Sequence, residues 1–407
     1  MKPSLLLPLL LLSTLLHAAD WARWRGPAAN GTTPEKVAPE TWDKEGPRRL
    51  WKAKVGVGFT AATVAEGRLY TMGNLEKGDV ATLWCLNAET GALLWKREWP
   101  SKLVAEMYEG GPNSTPVVDG DRLYAIVKPT LVVCLDAAKG DVRWEKQMTN
   151  EFDCGLNEWG ITGSSVVAGD KLIVNYGTAG TALDKLTGRL LWKTGEQTPS
   201  YNVPALTQFH GEPMMMVFAT NHLAAIRLRD GAEQWQVPFG RGYFCHAADP
   251  VVNGESVYVG SADDGGMVVR YGKGQPEVLW KHRQMGNFMA SSVVRDGHLY
   301  GINVCDAKGT AGAELKCVEW ESGTVKWATN GFGFGSFIFA GDRLLALSDK
   351  GELSVAHATP EKFELIRRDQ VIGGKCWTPP SLANGRLYVR NAAGDLVCLE
   401  VGTAKQG

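Results

Sequence analysis

The sequence predicts an all-β fold: an eight-bladed β-propeller of four-stranded blades, its ring closed by an N-terminal strand that completes the last blade. Three observations carry this. A Leu-Trp-Lys-like strand recurs at Trp51, Trp95, Trp144, Trp192, Trp235, Trp280 and Trp327, in steps of 43 to 49 residues. A fixed spacing of that size marks a repeat of four short strands. The 48 glycines and 15 tryptophans among 407 residues fit tight turns and large packed side chains rather than disorder or a helical bundle. The third observation is a mismatch at the two ends of the array. RRLWKAKV (48–55) is a final-type strand with nothing before it, whereas PPSLANGRLYVRNAAGDLVCLEV (379–401) stops one strand short. Pairing the two removes an open sheet edge.

In chain order, residues 1–19 read as a signal peptide. Lys2 is followed by an apolar run from Leu5 to Leu16, then by the small residues Ala18 and Ala19. The run is short for a membrane span. A periplasmic or secreted protein is therefore expected, not an integral membrane protein once the leader is gone. Residues 20–47 hold Trp21, Trp24 and Trp42 among Pro27, Pro34, Pro39 and Pro47, so an extended segment packed on the ring is expected. Residues 48–401 are the propeller and 402–407 a C-terminal tail. With Lys+Arg 43 against Asp+Glu 44, no nucleic-acid-binding surface is expected. A monomer is expected.

Within the repeat, Val-Val leads to a Gly turn and to Arg-Leu-Tyr, as in STPVVDGDRLYAIV. An apolar strand, a second Gly turn and the Trp strand follow, as in TLVVCLDAAKGDVRWEKQ. Gly91, Gly140, Gly188, Gly231 and Gly323 stand four residues before a Trp, where positive φ closes the turn and bare backbone leaves room for an indole. Pro276 breaks this pattern in the fifth repeat, and the seventh has lost its Trp. Cys85, Cys134 and Cys317 each lie ten residues before a Trp, and Cys398 fills the same position in the last repeat. Equivalent sites in different blades are too far apart to bridge, so these four read as small buried apolar groups. A bridge among the loop residues Cys154, Cys245, Cys305 and Cys376 stays open.

LNAETGALLW, LDAAKGDVRW and LDKLTGRLLW resemble the Trp-docking repeats of the pyrroloquinoline-quinone (PQQ)-like propeller superfamily, and DWARWRGPAANGTTPE resembles the leader of its exported bacterial members. The resemblance covers nearly the whole mature chain. It implies the fold and leaves two roles open, since the superfamily holds quinoprotein alcohol dehydrogenases and a non-enzymatic assembly lipoprotein. Those dehydrogenases carry adjacent cysteines against the quinone, and many add a CxxCH cytochrome domain. The lipoprotein begins at a lipidated Cys. This sequence has none of the three.

Loops between blades are the expected place for a site. Tyr108, Glu158, Trp159, Tyr201, Asn202, Tyr243, His246, Asn287, Phe288, Phe334 and Trp377 would line a funnel on that face. Of these, Trp159, Trp377, Tyr108, Asn202 and Asn287 are the candidates to hold a ligand. Glu158 and His246 are the candidate acid-base groups, with Glu158 read as a carboxylate on a semi-buried loop. No metal-ligand motif is found. Asp263-Asp264-Gly265 lacks the remaining positions of a Ca²⁺ loop, and the glycines at 331, 333 and 335 precede no helix. The expected function is a binding scaffold for a small molecule or protein on the inter-blade-loop face. The alternative is a PQQ-dependent oxidoreductase of alcohols or sugars. There, with Ca²⁺, the quinone would stack on Trp159 or Trp377 and Glu158 would hold the metal or take a proton.

Overall fold

A computed structural model describes residues 20–75, 78–106, 108–240, 246–272, 275–305, 307 and 309–402. The proposed signal peptide, Tyr243, Cys245 and most of the C-terminal tail lie outside these residues. Eight antiparallel sheets follow one another along the chain. Blade 1 holds Thr63–Ala65, Arg68–Leu75, Val80–Asn87 and Leu93–Pro100, and the same four-strand order repeats through blade 7 (Ser336–Ala340, Arg343–Leu347, Glu352–Ala358, Phe363–Gln370). Blade 8 has Ser381–Ala383, Arg386–Arg390 and Asp395–Glu400, and its outer strand is Arg49–Lys54. There Trp51 pairs with Cys398, Ala53 with Leu396 and Lys54 with Asp395. The ring is closed as the sequence predicts. Among the described residues, no helix is long and apolar enough to cross a membrane.

Seven blades carry the indole, and five of them set it on a turn glycine of the next blade. A Cβ added to Gly91 would stand 2.7 Å from Trp51, to Gly140 2.6 Å from Trp95, to Gly188 2.8 Å from Trp144, and to Gly231 2.6 Å from Trp192. These turn glycines all have φ between 72° and 74°. A break in pairing register just before the Trp strand turns the indole outward in every blade that carries it. The tyrosine of the Arg-Leu-Tyr strand works with it. Trp51 Nε1 (3.1 Å) and Tyr388 Oη (3.0 Å) both donate to the Ala88 carbonyl of blade 1, and Trp144 Nε1 and Tyr124 Oη both donate to that of Lys185. The described cysteines are all buried. Burial pushes the thiols of Cys85, Cys376 and Cys398 up to about 12, so they are inert at neutral pH.

The segment before the ring stoppers one end of the channel. Its residues lie at the turns between the first and second strands of the blades. Asp20 accepts from Glu66 N, Gly341 N donates to Thr33 O, and Asn384 N and Gly385 N donate to Glu35. Thr32–Thr33 adds a parallel fifth strand to blade 7, which the sequence pattern did not announce. Between these anchors the chain dips inward. Trp21 is buried against Val64, Trp24 Nε1 donates to Asp249 (2.7 Å), and Arg25 reaches the Ser292 carbonyl and lies 3.8 Å from Asp249. The channel above it is filled to a residual cavity of ≈ 20 Å³, lined among others by Trp24, Arg25 and Pro380. That is room for about one water.

Gly91→Ala is expected to cost about 1–3 kcal/mol more than Gly211→Ala, because an inserted carbon must displace an indole. Gly211 shares the positive φ of 79° but has nothing within 4 Å of an added Cβ. Thermal or urea unfolding of both variants checks it, and equal losses would refute the indole clamp.

Candidate functional site

The stopper leaves the opposite rim as the accessible mouth. The inter-blade loops and the connections between second and third strands meet there. Consecutive loops set their aromatic side chains edge to edge: Phe288, Phe334, Trp377, Phe59, Tyr108, Trp159 and Tyr201. Their ring centroids are 5.8, 6.4, 5.7, 5.4, 5.5 and 5.5 Å apart in that order. Each ring comes from a different loop, running from blades 5–6 around to blades 3–4. Backbone hydrogen bonds hold the loops in register: Phe59 N donates to Pro112 O (2.8 Å), Thr378 Oγ1 to Phe59 O (3.0 Å) and Tyr201 N to His246 O (3.2 Å). Tyr201 is buried, and the other six rings are half-buried. The arc is thus a curved apolar wall with exposed ring surface.

Polar candidates divide sharply. Asn202 is fully buried and its Nδ2 donates to Ser200 Oγ, Phe218 O and His246 O. Asn287 is also buried: its Nδ2 donates to Ile302 O, and its Oδ1 accepts from Tyr258 and Ser292. Both staple loops to blade backbones, and the buried Asn202 Oδ1 has no partner among the described residues. His246 lies 3.9 Å from the Phe218 ring in a parallel stack, its Nε2 at 3.0 Å from Thr220 O. Burial lowers its pKa against the pull of that carbonyl, so it is a neutral, satisfied core histidine. Glu158 stands on a partly buried loop, as expected, with its own side chain exposed to solvent beside a half-buried Trp159. The described residues hold no cluster of three metal-ligating side chains.

Three groups at the mouth were missed in the sequence. Phe59 sits in the short loop after the closing strand. Arg390 is buried at the blade 8–blade 1 junction. Its guanidinium donates to the carbonyls of Gly56, Thr60 and Met72 and to the Thr60 and Thr71 hydroxyls, and burial lowers its pKa to about 9. Lys128 lies in the connection after Arg122–Val127. Its Nζ donates to Tyr108 Oη (3.2 Å) and Asn113 Oδ1 (3.0 Å) and stands 5.9 Å from the Tyr108 ring. No carboxylate among the described residues pairs with it. Lys375, by contrast, pairs with Glu109 (2.8 Å) while its Nζ lies 4.3 Å from the Trp377 ring.

With this geometry in view, comparison with known proteins places the chain. The family model described as outer membrane protein assembly factor BamB matches residues 40–111 and 99–329. The chain belongs to this family of PQQ-like propellers. No curated protein sequence matches it. Two solved structures share the fold at 13% identity. BamB from Moraxella catarrhalis superposes with a TM-score of 0.62, covering 87% of this chain and 99% of that one. The quinohemoprotein alcohol dehydrogenase from Comamonas testosteroni superposes with 0.67, covering 95% and 81%.

Whether a quinone of the dehydrogenase kind fits can be read from the residues. A drug-sized flat ligand needs a pocket of roughly 300 Å³ or more. Two cavities among the described residues measure ≈ 20 and ≈ 10 Å³, the second lined by Phe288, Phe334 and their neighbours. The sequence has no adjacent cysteines, and the described residues hold no group of three metal-ligating side chains. The described residues do not form a quinone slot.

Burial pushes the Lys128 amine from its ordinary 10.5 down to about 7. Between these values the unfolded chain holds a proton that the folded protein has released. Folding stability therefore rises with pH across that window, and this increment is lost as pH falls towards 7. Wild type is expected to gain more in melting temperature between pH 7 and about pH 9 than Lys128→Met does. Parallel pH profiles of the two proteins would show that the amine is not desolvated.

Proposed function

We propose that this chain is a non-enzymatic scaffold that binds an apolar, aromatic-bearing segment of another protein on the inter-blade-loop face. The observation that carries this is the aromatic arc. Rings that only plugged the channel would be fully covered, whereas six of the seven keep exposed surface. Aromatic anchors on a rigid frame supply binding energy with little ordering cost. A curved row of rings suits an extended segment better than a compact small molecule, because there is no deep cavity beneath it. Membership in the family described by an outer membrane protein assembly factor supports a protein partner. The chemistry of the mouth also supports it: the candidate acid-base histidine is buried and satisfied, and the candidate carboxylate stands alone in solvent. An exported monomer, with residues 1–19 as its leader, belongs to the same proposal.

The test is selection of displayed peptides on the purified protein, followed by affinity measurement on wild type and a Trp159→Ala, Trp377→Ala double variant. Aromatic-containing peptides are expected to be enriched, with at least a tenfold loss of affinity in the double variant and an unfolding midpoint close to wild type. Losing two ring contacts and their burial accounts for a change of that size. Titration with PQQ and Ca²⁺ is expected to give no binding, and alcohols or sugars no dye reduction. Quinone binding with turnover, or peptide retention unchanged by the double variant, would overturn the proposal.

A further inference from the structure

An ammonium has three N–H donors, and Lys128 spends two of them on neutral acceptors, Tyr108 Oη and Asn113 Oδ1. The other cations near the channel are paired with a carboxylate or held by several protein oxygens. Arg25 has Asp249, Lys375 has Glu109, and the Arg390 guanidinium is ringed by carbonyl and hydroxyl oxygens. Lys128 has neither a carboxylate among the described residues nor a complete shell. It is half-buried at the mouth, where Tyr108 touches both Phe59 and Trp159. Beside the Tyr108 ring, an amine that holds its proton against an arriving carboxylate is a strong partner for an anion with apolar neighbours, since a charge-assisted hydrogen bond is strengthened where water is excluded.

We infer that Lys128 is a specificity residue of the aromatic arc and accepts the carboxylate of an acidic side chain that the bound protein segment carries between aromatic residues. This rests on the protein-binding reading of the arc and adds a chemical requirement to it. The third N–H of Nζ would donate to the incoming carboxylate. Tyr108 and Asn113, which hold the amine in place, act as positioning residues. Lys375, already paired with Glu109, would contribute little.

The experiment uses two end-blocked, fluorescently labelled peptides of one length, each with a central residue flanked by phenylalanines: Glu in one, Gln in the other. Affinities are measured on the full protein, on Lys128→Met, on Lys128→Arg and on the Trp159→Ala, Trp377→Ala double variant. Wild type is expected to prefer the Glu peptide about tenfold. Lys128→Met should abolish that preference, and Lys128→Arg should retain most of it. The double tryptophan variant should weaken both peptides together. If both peptides bind wild type equally and the double variant releases both, the carboxylate inference fails and the arc reading stands. If the preference survives Lys128→Met in a protein with an unshifted melting temperature, the inference also fails. Binding of neither peptide, or Lys128-dependent binding of free PQQ in their place, overturns the inference and the protein-binding reading together.

Discussion

The structure depends on an indole resting on a glycine. A tryptophan at the outer strand of one blade covers the turn of the next, and only a residue without Cβ lets the ring lie that close. The shared carbonyl makes the contact directional. Where Trp51 and Tyr388 both donate to Ala88 O, a slide of one blade along the other would leave two buried donors unpaired. Apolar burial holds the blades together, and these hydrogen bonds fix how they are rotated. The blades that depart from the rule show its limits. Trp235 faces a blade with Pro276 in place of the glycine, Trp327 meets no turn glycine, and blade 7 has no Trp. Three exceptions in a closed ring of eight interfaces are tolerable because no neighbour can drift without moving every other interface.

Closure is the reason such a ring can be rigid without covalent ties. The Arg49–Lys54 strand pairs with Asp395–Glu400 across more than 340 residues of chain, and the repeat cysteines Cys85, Cys134, Cys317 and Cys398 are free. Rigidity in turn lets the loops on the mouth diverge. None of the seven arc rings sits in a strand, yet neighbouring centroids stay within 5.4 to 6.4 Å. The N-terminal segment makes the molecule two-faced. By filling the channel from the turn side it removes through-passage and leaves one concave, apolar rim.

The repeat, the closing strand, the turn glycines and the buried fate of Cys85, Cys134, Cys317 and Cys398 were legible because each follows from local spacing. The aromatic members of the mouth were legible for a related reason: an aromatic precedes the inner strand of most blades, and Phe59 obeys this in a loop too short to draw attention. The polar members were not. A loop that crosses between blades carries backbone groups with no strand partner, and a nearby amide side chain is the simplest way to satisfy them. Asn202 and Asn287 are spent in that way, and no sequence pattern separates such an asparagine from one that faces a ligand. The destinations of Trp24 and Arg25 were illegible for another reason. Their partners Asp249 and Ser292 are 225 and 267 residues away, and nothing local encodes which inner strand the leader will reach.

That contrast gives weight to Lys128. Even the buried Arg390 finds protein oxygens for both of its terminal nitrogens. Glu109 is close at hand in the same loop as Tyr108, and it pairs with Lys375. An amine with two neutral acceptors and no carboxylate among the described residues lowers stability near neutral pH, although it ties Tyr108 and Asn113 to blade 2. Departures from local consistency of this kind collect where a protein must recognise something outside itself. A neutral donor would serve the same two acceptors without that cost, so the charge needs an explanation that the folded chain alone does not provide.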